Sequence, residues 1–319
     1  MDETNLKIIN MSDVESKEIS WLWYPFIPYG KLTIIQGDPG EGKTTLVLNI
    51  AAVLSKGQGL DEHMKPEQPL HIIYQTAEDG LADTVKPRLE KAQADCNNIF
   101  VIDETDVSLS MLDERIEQAI LKEKAKLMIL DPIQAYLGAK MDMNRANEAR
   151  DMTKHLGQVA ERTGCAIVLI GHMNKNSNGK SSYRGLGSID FQAAARSVLI
   201  VGRVKDEPEV RVVCHTKSSL APEGTSIAFR LDKNNGFEWI GEYDISADEL
   251  LNGDGRGQKS RKAKEFLLEI LANGGMTQKK IAEEAEARGI KSKTLWNAKR
   301  ELEIDSVKRG KQWYWMLPE

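Results

Sequence analysis

The 319 residues include only three cysteines, Cys96, Cys165 and Cys214, which lie far apart with no metal-ligand or redox spacing between neighbours. That scarcity excludes a disulfide framework or a cysteine-based metal site, and the thiols read as reduced and structural. No apolar run approaches the length that spans a bilayer, and the opening MDETNLKIIN lacks a basic stretch followed by an apolar one. A cytoplasmic protein without a membrane partner is the expectation. No internal repeat is visible, so a repeat array is not expected.

What is present is an ordinary globular composition, 41% hydrophobic and 29% charged, in a chain long enough for one large domain and a smaller one. Charge is divided unevenly. From Arg256 onward 15 Lys and Arg stand against 9 Asp and Glu, a net of +6, and the residues before carry 28 against 39, a net of −11. A basic tail on an acidic body fits a polyanion partner at the C-terminus, and it also fits a merely solvated surface.

Residues 1–30 end in WLWYPFIPYG, whose aromatics and prolines suggest an irregular segment packed on the core. Trp21 and Trp23 suit core packing, with stacking on a nucleotide base as the alternative. Over residues 31–245, β-rich runs (KLTIIQG, HIIYQT, NIFVID, KLMILD, CAIVLIG, SVLIVGR, VRVVCHT) alternate with helix-like ones (GKTTLVLNIAAVLSKG, LADTVKPRLEKAQA, LDERIEQAILKEK, RANEARDMTKHLGQVAERTG). The alternation predicts an α/β domain with a largely parallel sheet covered by helices on both faces. Residues 246–260, rich in Gly, Ser and Asp, read as a linker. Residues 261–319 predict a second, small domain of three short helices and a strand pair.

Between the first strand and the first helix, GDPGEGKT fits G-x-x-x-x-G-K-[ST] in the context that gives the pattern meaning. Gly37, Gly40 and Gly42 let the backbone curl towards phosphate oxygens, and the helix N-terminus offers unpaired N–H groups. The loop as a whole, Gly37, Asp38, Pro39, Gly40, Glu41, Gly42, Lys43, Thr44 and Thr45, is the candidate nucleotide cradle. Lys43 would bridge the β- and γ-phosphates and Thr44 would meet Mg2+. Asp131, at the end of KLMILD, is a candidate for holding the same metal. Glu78, after HIIYQT, can orient or deprotonate a water opposite the γ-phosphate; the alternative is that Glu78 and Asp79 both cap the helix beginning near Leu81, a role that suits Asp79. His172, ending CAIVLIG, can hydrogen-bond a γ-phosphate; a lone loop histidine is also ordinary surface.

Two look-alikes fail. LSKGQ (54–58) follows the phosphate-loop helix instead of preceding a metal-binding Asp, and NKNS puts Ser177 where a guanine-reading carboxylate would stand. The stretch after His172, MNKNSNGKSSYRGLGSID, is rich in Lys, Asn, Ser and Gly, which suits a phosphate backbone better than the arginine-rich lid of a small-molecule kinase.

Taken in order, GDPGEGKTT, YQTAEDG, LMILDPI, TGCAIVLIGHMNK, YRGLGSIDFQAAARSV and HTKSS resemble the RecA-like P-loop ATPases, in particular the RepA-type plasmid replicative helicases and related phage ATPases. The resemblance covers about residues 22–231. It implies a hexameric ring around single-stranded DNA with ATP and Mg2+ between neighbours, and a primase or initiator protein as a further partner. Carried over, Lys43 and Thr44 match the phosphate loop, Glu78 the catalytic glutamate, Asp131 the metal-binding Asp and His172 the γ-phosphate sensor. Arg184 matches an arginine finger reaching the adjacent subunit. Lys217 matches the lysine of a K-x-R element and is a candidate contact to the neighbouring subunit, but Ser219 holds the arginine position, which leaves Arg196 and Arg203 as substitutes for a second finger. Lys175 and Lys180 fall where such motors put DNA-contacting loops; a solvated loop is the alternative.

The tail, TQKKIAEEAEARG then KSKTLWNAKREL, resembles a helix-turn-helix: a Thr cap, apolar Ile281 and Ala285, a turn at Gly289, and a second helix carrying Lys293, Thr294, Asn297 and Arg300. SVKRGKQWYWML resembles a wing, with Lys308, Arg309 and Lys311 near its tip to meet the phosphates of DNA, duplex DNA included. Protein docking is the other use of such a module. Trp313 and Trp315 alternate with Tyr314, share one face and are expected in the core. Together these readings imply an ATP-hydrolysing motor acting on DNA; the alternative is a regulator or loading factor that uses ATP as an assembly switch without strand separation.

Overall fold

The computed structural model of the chain describes residues 8–61, 65–137, 146–173, 189–205, 207–232, 236–252, 256–310 and 312–318, excluding the side chains of 146–148, 189–190, 252, 256–261 and 293. Residues 8–20 are exposed throughout. Packing starts at β1 (Trp21–Trp23), paired antiparallel with β2 (Ile27–Pro28). Trp21 and Trp23 are both buried, and the Trp23 ring lies 4.5 Å from Phe26 and 5.8 Å from Trp239. Both tryptophans therefore serve the core, and only the second part of the N-terminal segment packs as expected.

The main unit continues with β3 (Leu32–Gly37), α1 (Lys43–Ser55), β4 (Ile72–Thr76), a π-helical turn (Leu81–Val85) running into α2 (Lys86–Lys91), and β5 (Ile99–Phe100). Next come α3 (Arg115–Glu123), β6 (Leu127–Asp131), α4 (Ala146–Thr163), β7 (Ala166–His172), α5 (Ile189–Ala194) and β8 (Ser197–Val204). It closes with β9 (Glu207–Ser218), β10 (Ile227–Asp232) and β11 (Gly236–Glu242). These strands form one nine-stranded sheet, β11-β10-β9-β8-β3-β7-β6-β4-β5. From β8 to β5 every pairing is parallel, and β9, β10 and β11 fold back antiparallel.

The central strands are apolar along their whole length because both faces are covered. Alternate residues serve opposite cores: Ile35, Ile72, Ile129 and Val168 pack with α1 and α2, while Ile34, Ile73, Met128 and Leu169 pack with α3 and α4. Each such burial contributes about 1.5–3 kcal/mol, so the strand ends are held firmly from both sides. NIFVID, expected as a strand over 98–103, leaves the ladder after Phe100. There the Gln75 amide donates to the Ile102 carbonyl at 3.0 Å and accepts from its N–H at 2.9 Å. A side chain replaces the missing backbone partner.

The stretch expected as a linker carries α6 (Ala247–Asn252) and the start of α7 (Arg256–Leu271). Then follow β12 (Met276–Thr277), α8 (Gln278–Ala287), α9 (Ser292–Glu301), β13 (Asp305–Arg309) and β14 (Gln312–Met316), with a sheet of order β12-β14-β13. Thr277 caps α8, its hydroxyl accepting the Lys280 N–H at 3.4 Å, and Gly289 at φ +73° turns the chain towards α9. Phe266, Leu267, Ile281, Leu295 and Trp315 form a separate core here. Trp315 is 1% exposed but Trp313 is 48% exposed, so only one of the two indoles packs as expected. No helix among the described residues is long and apolar enough to cross a membrane.

His215 on β9 ties β1–β2 to the sheet. It stacks on Phe26 at 4.8 Å, lies 3.3 Å from the Ser197 hydroxyl, and accepts the Gly224 N–H at Nδ1 over 3.2 Å. Burial pushes its pKa down from 6.5 to about 4. The folded state keeps this ring neutral where the unfolded chain takes up a proton, so its contribution is intact above pH 6.5 and is lost as pH falls towards 4. At about 1.4 kcal/mol per pH unit, roughly 3 kcal/mol is at stake. Urea midpoints between pH 7.5 and 4 are expected to fall less steeply for His215→Gln than for the wild type, although the variant starts lower; parallel curves would discount the titration.

Candidate nucleotide-binding site

The site is assembled by strand ends. In the parallel register Gly37 stands opposite His172, and Thr76 opposite Asp131. The loop between β3 and α1 therefore opens at the same sheet edge as the ends of β4, β6 and β7. Gly37 passes so close to β8 that a Cβ would meet the Val201 carbonyl oxygen at 2.2 Å. Gly42 has φ +90°, and a Cβ there would lie 2.6 Å from Leu231 Cδ1. Gly37 is required by its approach to the backbone of a strand far away in sequence, and Gly42 by its left-handed φ.

Lys43, 4% exposed, begins α1. Its ammonium donates to the carbonyls of Gly37 at 2.8 Å and Asp38 at 2.9 Å, and lies 3.4 Å from His172 Nδ1. Thr44 Oγ1 donates to Asp131 Oδ2 at 2.7 Å, and the Tyr74 hydroxyl donates to the same oxygen at 3.1 Å. Burial lowers the Lys43 pKa, against the pull of Asp131, Asp38, Glu41 and Glu78. Burial raises that of Asp131, opposed by the Thr44 and Tyr74 hydrogen bonds and by Lys43. Glu78 is exposed, and its charge reaches both Lys43 and Asp131.

Asp79 does not cap the following helix: the cap is Gly80, and the Asp79 carboxylate takes the Arg88 guanidinium at 2.6 Å. Lys217, expected to reach a neighbouring subunit, donates instead to the carbonyls of Gln192, Ala193 and Ala195 at 2.8–2.9 Å, closing the end of α5 in its own chain. Its three protons are used there. Arg203 lies 3.8 Å from Glu41 of the phosphate loop, beside the buried Arg211. Arg196 is exposed. Asn297, Arg300, Lys308 and Arg309 are exposed on the C-terminal unit. Lys175, Lys180, Arg184 and Lys311 lie outside the described residues, as does the side chain of Lys293.

Three groups were missed by the sequence reading. Tyr74 lies two residues before Thr76, the register partner of Asp131, so alternation puts both on one face; that signal was available only once β4 and β6 were paired. The Glu41 and Arg203 contact joins a loop to a strand with nothing local to announce it. The third is a cleft of about 330 Å3 one turn beyond Thr44, lined by Thr45, Leu48 and Asn49 of α1, Arg88 and Lys91 of α2, and Leu231 and Phe237 of the β10–β11 hairpin.

Oxygen donors Thr44 and Asp131, in contact at the mouth of an anion-shaped loop, suit a hard divalent cation shared with phosphates. Among the described residues no three His, Cys, Asp or Glu side chains are grouped to hold a metal ion. The Thr44, Tyr74 and Asp131 cluster is testable on its own: urea titrations of Tyr74→Phe, Asp131→Asn and the double variant are expected to give a coupling of about 1–2 kcal/mol. Simple additivity would mean that the hydroxyl does not hold the carboxylate.

Residues 3–178 match the family described as AAA domain (AAA_25). The DNA repair protein RadA of Halalkalibacterium halodurans is 29% identical over 165 residues, 51% of this chain and 32% of RadA. Escherichia coli RadA is 28% identical over 151 residues, 47% of this chain and 29% of RadA. The chain thus spans about a third of the length of these relatives. Among solved structures, the ATPase domain of G40P superposes with TM-score 0.50 at 14% identity, over 66% of this chain and 84% of that one. A DnaB-like replicative helicase, described with its interactions with primase, gives TM-score 0.51 at 14% identity, over 66% and 57%. At that identity the likeness is one of fold, and the fold is RecA-like.

Proposed function

The chain belongs to the AAA domain family, with the RecA-like fold of a P-loop ATPase, and from this we propose that it hydrolyses ATP to drive movement on DNA, as a RepA-like hexameric replicative helicase of a plasmid, phage or mobile element. The observation that carries the reading is that Lys43 meets His172 and Thr44 meets Asp131 at one sheet edge, with the charges of Asp131 and Glu78 acting on Lys43. The RadA relatives and the helicase structure support DNA as the polymer acted on.

In this reading Lys43 exchanges its loop carbonyls for β- and γ-phosphate oxygens, and the α1 N-terminus adds N–H donors. The cleft beyond Thr44 receives the base, between Leu231 and Phe237 on one side and the Arg88 stem on the other. Thr44 and Asp131 would hold Mg2+, which when bound neutralises developing phosphate charge. Glu78, exposed at the mouth, orients and deprotonates the attacking water. His172, touching Lys43, senses whether the γ-phosphate is present. Arg184 reaches the ATP of the adjacent subunit, and a guanidinium there is worth about 10³–10⁵ in turnover. Single-stranded DNA runs through the ring past Lys175 and Lys180. Residues 261–319 form a winged helix-turn-helix for DNA or for a primase or initiator protein.

Lys43→Ala and Glu78→Gln are both expected to abolish DNA-stimulated ATP hydrolysis, while only Lys43→Ala weakens binding of a fluorescent ATP analogue. Full turnover in Glu78→Gln would remove it from the reaction. A wild-type protein that hydrolyses ATP yet never opens a forked duplex would favour the assembly switch. For Arg184, mixing Arg184→Ala with Lys43→Ala subunits is expected to recover part of the activity, because each supplies what the other lacks across an interface. No recovery would count against action in trans.

A further inference from the structure

Of the chain's six tryptophans, only Trp296 on α9 and Trp313 on β14 are substantially exposed, at 46% and 48%. A third, Trp315, lies between them. Its ring is 5.0 Å from Trp296, and it shares a strand face with Trp313 two residues away. Lys299 Nζ lies 5.8 Å from Trp296 and 5.3 Å from Trp315 and donates to the Ile304 carbonyl at 2.8 Å, and Lys308 Nζ lies 6.0 Å from Trp313, its cross-strand partner. Arg300 is exposed along the same helix. Of the nearby acids, Glu301 is taken by Lys264 at 2.9 Å, Glu303 borders the groove beside Trp296 and Arg300, and Glu286 lines the cleft beside Trp296 and Trp315 together with Lys291.

Duplex DNA keeps its base faces stacked and offers a protein only base edges and phosphates. Half-exposed indoles find no free base face on such a duplex. Unpaired bases present π-faces of any sequence, and single-strand binders pair such stacking surfaces with cations along the backbone. A face of two exposed indoles flanked by Lys299, Arg300 and Lys308, on a segment with a net charge of +6, matches that chemistry. We infer that the α9 and wing face of the C-terminal unit binds single-stranded DNA, with bases stacked on Trp296 and Trp313 and phosphates on Arg300 and Lys308. The inference rests on the reading of DNA as this protein's polymer, and it replaces duplex by single strand as the tail's ligand.

The test uses the full chain carrying Lys175→Ala and Lys180→Ala, so that the proposed channel does not mask the tail. Fluorescence anisotropy then measures a labelled oligothymidylate and a blunt duplex of equal length. Trp296→Ala and Trp313→Ala are each expected to weaken oligothymidylate binding on the order of tenfold, Trp313→Phe to stay near the parent, and Lys308→Glu to weaken it again without touching an aromatic. Quenching of tryptophan emission by the oligonucleotide is expected in the parent and diminished in Trp313→Phe. Tighter binding of the duplex, or oligothymidylate binding indifferent to both tryptophans and to Lys308, overturns the inference. If that happens while DNA still stimulates ATP turnover in the wild type, the motor reading stands and only the tail assignment falls. If DNA neither binds nor stimulates, both fall.

Discussion

The parallel register of β3, β7, β6 and β4 is the constraint on which the site depends. It sets Gly37 against His172 and Thr76 against Asp131, so groups spread over 135 residues of sequence meet at one sheet edge. A slip of one residue in β6 would turn Asp131 to the opposite face and away from Thr44. Both faces of β6 are apolar, so what a slip loses is the pair of hydroxyls, Thr44 and Tyr74, that hydrogen-bond the buried Asp131 carboxylate. The hydrogen bonds that hold the carboxylate therefore also favour the register that aims it.

Two buried charges of opposite sign sit where this register ends. Burial alone favours neutral Lys43 and neutral Asp131, and each is kept ionic partly by the other. Glu78 acts on both in the same protonic direction, favouring a proton on Lys43 and on Asp131. It strengthens the cation and weakens the carboxylate. Two donated hydrogen bonds to Asp131 Oδ2 counter that effect, which gives Tyr74 a place in the electrostatics of the site although it carries no charge.

The local parts of the site were legible in the sequence because their meaning is local. Gly37 to Thr44 is one continuous motif, and Asp131, Glu78 and His172 each follow an apolar run that ends visibly. What was not legible depends on pairing between distant segments: Tyr74 through β4 and β6, Glu41 through β8, and the cleft through α1, α2 and a hairpin. The hairpin itself did leave a signal, an Asn-Asn-Gly between two alternating runs. It was easily passed over because Arg230, Asp232 and Glu238 interrupt its apolar residues. Asp79 shows the opposite error, a residue whose sequence position suits a cap but whose carboxylate is claimed by Arg88 nine residues later. Trp313 and Trp315 share a face as alternation requires, yet a shared face does not mean shared depth.

The antiparallel strands added beyond β8 do more than widen the sheet. Leu231 and Phe229 of β10 lie against Gly42, so the phosphate loop is braced from outside by a hairpin whose Phe237 also lines the neighbouring cleft. Arg203 and Arg211, register partners on β8 and β9, bring positive charge to Glu41. A carboxylate inside an anion-binding loop opposes the loop's purpose unless a cation offsets it. The β8–β9 pair supplies that offset, while β10 fixes the backbone turn at Gly42. The loop's geometry and its local charge are thus both set by strands that lie outside the loop motif itself, which is why the motif alone specifies a phosphate cradle and the meander determines how that cradle is held.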